Sequence, residues 1–149
     1  MRAMQHINVV ILNPVFLIVF IGTALLSGVL GLSALLNWNG PAAFWLVAGA
    51  VAYLIGTFGV TMAVNVPLNN LLAATDASSI DAAETWASYV AKWVRWNHLR
   101  TVMGAVAALA YILAATHLRS LASSASLAKY SLRSKLPVSS PASLRAKAR

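Results

Sequence analysis

The feature that most constrains this chain is a set of long apolar runs, at residues 14–36, 42–64 and 99–118. The first two runs contain no charged residue. The third contains one charged residue, Arg100 near one end, and one histidine, His117 near the other. A helix needs roughly 20 residues to cross the hydrocarbon core of a bilayer. None of the runs alternates apolar and polar residues as a barrel strand does. The sequence therefore predicts an all-α membrane helical bundle with three transmembrane helices.

The composition agrees with a membrane protein and excludes several kinds of chemistry. The chain is 60% hydrophobic and only 9% charged, whereas soluble domains contain about 25% charged residues. It has no cysteine, which excludes disulfides, thiolate metal ligands and a catalytic thiol. Its three histidines are scattered and lack a nearby pair of carboxylates, so we predict no metal site.

The segment at residues 65–97 is too polar to span a membrane, and from about Ser79 it has the pattern of an amphipathic helix. No glycine or proline occurs between Ser79 and Gly104, and Trp86, Val90 and Trp93 recur at helical spacing. Acidic residues lie near the start and basic residues near the end, as the helix dipole favours. We therefore expect an amphipathic extension that continues into the last span as one helix. Pro67 is expected to end or kink the second helix.

The charges predict a division of the chain near residue 118. The net charge is +8, and residues 119–149 contain seven basic residues and no acidic one. We predict an integral membrane domain at 1–118 and a basic, Ser-rich, mostly disordered tail at 119–149. The positive-inside rule predicts a multi-pass protein of the cell membrane with a cytoplasmic tail. For the tail, a solvated segment is favoured over binding to nucleic acid or anionic lipid.

Polar side chains are concentrated beside the spans on the membrane face that residues 1–13 and 65–97 share. Ionisable groups at membrane depth typically mark functional sites. Two helices carry candidates at three- and four-residue spacing: Tyr53, Thr57, Thr61 and Asn65 on one, and Trp93, Asn97, Arg100, Thr101 and Gly104 on the other. Asn69 follows Asn65 at the same end. His98 is rotated about 100° from Asn97 around its helix.

Four runs carry a resemblance to a known family: MQHIN (4–8), LNPVF (12–16), FGVTMAVNVPLNN (58–70) and WVRWNHLRT (93–101). Together they resemble the anthrone oxygenase-like family of small integral membrane proteins, over roughly residues 4–118. Members usually have four membrane helices, the first of them upstream of the MQ-x-I-N run. We therefore expect either a start upstream of Met1 or a shortened relative. The basic tail is not a feature of the family.

The resemblance implies a cofactor-independent oxygenase that acts on anthrone-like polycyclic aromatics with molecular oxygen. In that reading His98 is the catalytic base, and Arg100 stabilises the enolate oxygen together with Asn65, Asn69 and Asn97. Trp93 stacks on an apolar aromatic small molecule, and Thr101 lies on the same helix face.

The alternative is a non-catalytic membrane scaffold or partner subunit, with membrane lipid and further copies of the chain as its partners. In that case the tryptophans are interface anchors, Arg100 extends toward the headgroups, and the asparagines only join helices. A closed polar cluster would favour scaffolding, whereas a pocket lined by these groups would favour a ligand.

Overall fold

In a computed structural model of the protein, the described residues, 1–135, form helices joined by short connections. We label the helices in chain order: α1 (Arg2–Val10), α2 (Pro14–Leu36), α3 (Gly40–Ala74) and α4 (Ala82–Lys135). Within residues 1–135 there is no β-strand. The all-α fold predicted from the sequence is confirmed.

Helices α2, α3 and α4 are each long and apolar enough to cross a membrane. Their most apolar windows are only 22%, 33% and 17% buried within the protein. Large side chains such as Ile18, Leu25 and Val29 therefore point outward on α2. So much exposed apolar surface is unfavourable in water and suits a lipid environment. The prediction of three span-length helices is confirmed.

Helices α2 and α3 form a hairpin with well-defined ends. Asn13 accepts a hydrogen bond from the Phe16 backbone N–H at 2.9 Å, and Pro14 occupies the first turn. Both features favour the start of a helix. After a short connection, Gly40 begins α3 with a φ of 72°, a conformation that glycine adopts without strain.

The hairpin is packed by small side chains. A Cβ added at Gly31 would lie 2.7 Å from the Cβ of Ala50, so the two backbones are in close contact. Ser27 is 1% exposed, and Ala24 and Ala34 of α2 are buried nearby along the helix. Small residues of this kind allow close helix packing where lipid supplies no hydrophobic driving force between helices.

The sequence predicted that Pro67 ends or kinks the second helix; the helix does not end there but continues to Ala74. Its middle consists of π-helical turns, Ala52–Gly59 and Thr61–Asn65, and the regular helix resumes at Val66–Ala74. Pro67 therefore lies in the first turn of a regular segment, where a missing N–H is tolerated. In the preceding turns hydrogen bonds span five residues instead of four.

Helix α4 is continuous from Ala82 to Lys135, which confirms that the amphipathic part of the polar segment and the last span form one helix. The helix also extends into the tail that we expected to be mostly disordered. Residues 119–135 contain no glycine or proline and several good helix formers. The chain divides into two compact units, Met1–Ala115 and Thr116–Arg149. The predicted tail residues 136–149 lie outside the described residues.

Helix α4 packs antiparallel to α3. A Cβ at Gly49 would lie 2.8 Å from the ring of Tyr111, and one at Gly56 would collide with Met103. Closer to the α3–α4 connection, Thr57 Oγ1 donates a hydrogen bond to the Arg100 carbonyl at 3.3 Å. Later residues of α3 thus contact progressively earlier residues of α4, which fixes the register of the two helices.

The connection between α3 and α4 contains a local hydrogen-bonded turn. Asp76 accepts hydrogen bonds from the hydroxyl of Ser78 at 2.6 Å and from its backbone N–H at 2.9 Å. These bonds stabilise the charged carboxylate and hold the pKa of Asp76 below its usual range.

Candidate functional site

The candidate site lies where the last turns of α3 meet the start of α4. Tyr89 donates a hydrogen bond from its hydroxyl to Asn69 Oδ1 at 2.9 Å, and the tyrosine is only 2% exposed. This bond joins the two helices and continues the register described above. Asn65 precedes Asn69 by one turn on α3, and Trp93 follows Tyr89 by one turn on α4. Because the two helices are antiparallel, this register places Asn65 level with Trp93.

Three aromatic rings of α4 lie near this level of the α3–α4 interface. The rings of Trp86 and Tyr89 stack with centroids 5.7 Å apart, and those of Tyr89 and Trp93 with centroids 6.3 Å apart. Their three- and four-residue spacing places all three on one face of the helix. They form an aromatic wall along α4, in which Trp86 and Trp93 are half-buried and Tyr89 is buried between them.

Two buried polar atoms of opposite hydrogen-bonding character are unpaired beside this wall. Asn65 is 4% exposed, and its Oδ1, an acceptor, has no hydrogen-bond partner. The Nε1–H of Trp93, a donor, is also buried and unpaired. Leaving a buried polar group unpaired costs about 1–3 kcal/mol. A ligand that both donates to Asn65 and accepts from Trp93 would recover that free energy.

Helix α1 closes one side of the site. The side-chain amide of Gln5 donates to the carbonyls of Leu72 at 2.7 Å and Thr75 at 3.0 Å, which holds α1 against the end of α3. The side chain of Asn8 then faces the Tyr89 hydroxyl, and its buried Nδ2 forms no well-oriented hydrogen bond. A third unpaired polar atom thus belongs to the same region.

Asn97 and Arg100 form a second polar group, one and two turns along α4 from Trp93. The Arg100 Nε donates to Asn97 Oδ1 at 3.0 Å, and both side chains are half-buried. The Arg100 backbone carbonyl accepts the Thr57 hydroxyl bond, so this residue lies beside α3. Its positive charge favours a ligand that is or becomes an anion.

The two remaining predicted site residues, His98 and Thr101, have exposed side chains on α4. His98 is exposed, and its Nδ1 is 2.8 Å from the Val94 carbonyl of its own helix. Because a carbonyl only accepts, Nδ1 is the donor of this contact. Thr101 is exposed and donates to the Asn97 carbonyl at 2.8 Å. The structure thus gathers Asn65, Asn69 and Trp93, and it leaves His98 and Thr101 outside.

The polar side chains expected on one face of α3 form hydrogen bonds to two different neighbouring helices. Tyr53 donates to the Phe20 carbonyl of α2 at 3.1 Å, whereas Thr57 donates to α4. Thr61 bonds the Thr57 carbonyl within α3 at 2.6 Å.

Sequence reasoning did not single out Tyr89, Gln5 or Asn8 as site residues. The signal for Tyr89 was present, since it lies three residues after Trp86 and four before Trp93. Gln5 and Asn8 have no comparable signal, because the Gln5 bonds span about 70 residues. Within residues 1–135 no cluster of three or more histidines or carboxylates could hold a metal ion.

Comparison with known proteins gives one clear result. The family model for anthrone oxygenase matches residues 15–110, about two thirds of the chain, including the α2–α3 hairpin and the segment of α4 that carries Trp93 and Arg100. Curated proteins and solved structures gave no match. Because the family model covers more than half of the sequence, the chain belongs to the anthrone oxygenase family.

Proposed function

We propose that this protein is a membrane oxygenase that oxidises an anthrone-like polycyclic aromatic with molecular oxygen. The observation that carries the proposal is the pair of unpaired atoms, Asn65 Oδ1 and Trp93 Nε1, at one level of two packed helices. Family membership supports the same chemistry. A flat, apolar substrate would enter such a site from the lipid.

Each group of the site has a role in binding such a substrate. The half-buried rings of Trp86 and Trp93, which stack on the buried Tyr89, would face the polycycle. A ring hydroxyl donates to Asn65 Oδ1, and the neighbouring ring oxygen accepts from Trp93 Nε1–H. Asn69 does not contact the substrate in this proposal; its bond to Tyr89 positions the aromatic wall.

The chemistry begins with the loss of a proton from the central CH2 group of the anthrone. The resulting oxyanion is stabilised by the Trp93 N–H and by the positive charge of Arg100, which Asn97 orients. The electron-rich ring carbon then transfers electrons to O2 and forms a C–O bond. Loss of the second C–H and cleavage of the O–O bond give the quinone, so that one O2 is consumed and one water is released.

His98 has no role in this proposal. Its ring is exposed and rotated about 140° around α4 from Trp93. Stabilisation of the oxyanion makes the substrate a stronger carbon acid, so water can take the proton. The base role of His98 stays a prediction from the sequence.

The test is quinone formation by purified protein in lipid nanodiscs that are supplied with an anthrone and oxygen. The wild type should exceed the spontaneous oxidation rate. Asn65→Leu should lower kcat/KM about tenfold or more, because the substrate hydroxyl loses its acceptor. Asn70→Leu is the matched control, since Asn70 is exposed next to Asn69. The assignment is wrong if Asn65→Leu oxidises the anthrone as fast as the wild type.

A scaffold function is favoured by the polar bonds that the protein satisfies internally. Tyr89 bonds Asn69 between helices, and Arg100 bonds Asn97. If these groups only hold helices together, wild-type protein gives no turnover with any anthrone, and Asn65→Leu changes neither ligand binding nor oxygen consumption. The unpaired atoms of Asn65 and Trp93 argue for the oxygenase instead.

A further inference from the structure

The helical segment 116–134 has a charge pattern that the family match does not include, because the match ends at residue 110. The segment carries Arg119, Lys129 and Arg133, and it directly follows the apolar run of α4. No acidic residue occurs anywhere after Glu84. The segment is therefore a basic helix without internal charge compensation.

Helical geometry sorts its residues into two adjoining faces. At 100° per residue, the three basic residues fall within an arc of about 80°. Leu118, Leu121 and Leu132 fall within a neighbouring arc of about 60°. These leucines are 50%, 57% and 67% exposed. Leu127 is the exception and lies on the opposite side.

We propose that segment 116–134 binds anionic phospholipid headgroups. The leucine face would lie against the boundary between headgroups and acyl chains, and the basic arc would contact the phosphates. A nucleic acid would also attract the bases, but it would leave the exposed leucines in water. The adjoining apolar run also favours lipid, because it keeps the segment at the membrane.

The helical structure of residues 116–134 differs from the disordered tail that the composition suggested. The solvated tail expected from composition required disorder, in which bases and leucines have no fixed arrangement. A regular helix instead places the leucines beside the bases, as interfacial helices do. Each basic residue near an anionic surface strengthens binding about fivefold. Removing all three should therefore weaken it about a hundredfold.

The absence of cysteine from the chain allows a single reporter to be placed on either face. Ala125→Cys lies on the leucine face, and Ser123→Cys lies on the far side. Each full-length variant is labelled with an environment-sensitive fluorophore and placed in nanodiscs of phosphatidylcholine, with or without phosphatidylglycerol. The Ala125 label should shift to the blue only with phosphatidylglycerol, whereas the Ser123 label should not respond.

Two further measurements test the electrostatic origin of the shift. It should disappear in about 1 M salt, where charges are screened within a few ångströms. It should also disappear in Arg119→Gln/Lys129→Gln/Arg133→Gln but persist in Arg2→Gln/Lys92→Gln/Arg95→Gln, which removes three exposed charges elsewhere.

Three results would overturn the proposal. One is an Ala125 label that responds equally in both lipids. Another is a shift that survives in Arg119→Gln/Lys129→Gln/Arg133→Gln. The third is a response to added nucleic acid without any response to phosphatidylglycerol, which would identify nucleic acid as the partner.

Discussion

The α2–α3 hairpin and the α3–α4 interface are built differently. The hairpin is packed by small residues, with Gly31 against Ala50 and a fully buried Ser27. The α3–α4 interface also has a close glycine contact, Gly56 with Met103. Each interface has aromatic or polar contacts as well: in the hairpin Phe20 stacks on Phe58 and Tyr53 donates to the Phe20 carbonyl, and between α3 and α4 Tyr89 donates to Asn69. Such satisfied contacts are explained by helix packing, but the buried, unpaired Asn65 Oδ1 and Trp93 Nε1 of the second interface need another explanation.

The explanation we favour is that the hairpin is the framework and the α3–α4 interface is the site. A buried polar group that is left unpaired lowers stability. Asn65 Oδ1 and Trp93 Nε1 are two such unpaired atoms at the α3–α4 interface, and a bound molecule would give each a hydrogen-bond partner. The following predictions test whether the two interfaces differ in function as they do in structure.

The largest effect is expected at Arg100. If Arg100 stabilises the oxyanion as we propose, Arg100→Gln should lower kcat about a hundredfold, as loss of a transition-state donor does. Arg95→Gln, which removes an exposed charge from the same helix, should stay near the wild type. Equal rates for both variants, measured by oxygen consumption in nanodiscs, would show that Arg100 only anchors the helix.

Glycine substitutions compare the two interfaces directly. Gly31→Ala and Gly56→Ala should each lower the free energy of unfolding by about 1–3 kcal/mol through overpacking. Only Gly56→Ala should also lower activity per folded molecule, because it shifts α4 against α3. Gly22→Ala is the control, since its Cβ meets no atom within 4 Å. Equal activity losses in both interfaces would remove the functional distinction between them.

Trp93→Phe isolates one donor. The ring can still stack on Tyr89, but the Nε1–H is lost, so kcat/KM should fall about tenfold while stability holds or rises. Trp96→Phe, at a more exposed ring on the same helix, should have little effect. If Trp93→Phe melts at a lower temperature and keeps full activity, Trp93 contributes packing and not recognition.

The smallest effect is expected at His98. Because the ring is exposed and bonded to its own helix, His98→Gln should change kcat/KM by less than about threefold across neutral pH. Loss of a general base would instead cost about a hundredfold or more. A loss of that size, with an altered pH profile, would return His98 to the role that the sequence suggested.

The sequence predicted the parts of the fold that follow from long runs and regular periodicity. The span-length helices, the hairpin and the continuity of α4 all belong to this class. It did not predict the π-helical turns before Pro67, because such turns depend on packing against neighbouring helices. It placed Asn65, Asn69 and Trp93 on one membrane face because each lies beside a span end, but the bond of Tyr89 to Asn69 and the bonds of Gln5 required the tertiary register.

The most direct test of the central claim is a paired measurement on Asn65→Leu in nanodiscs, of anthrone oxidation and of thermal stability in the same sample. If Asn65 is kept for a ligand, the variant should oxidise the anthrone about tenfold more slowly and yet unfold at a higher temperature than the wild type, because a buried unpaired oxygen has been removed. Lower stability with unchanged turnover would contradict the account, since Asn65 would then serve only the packing of α3 against α4.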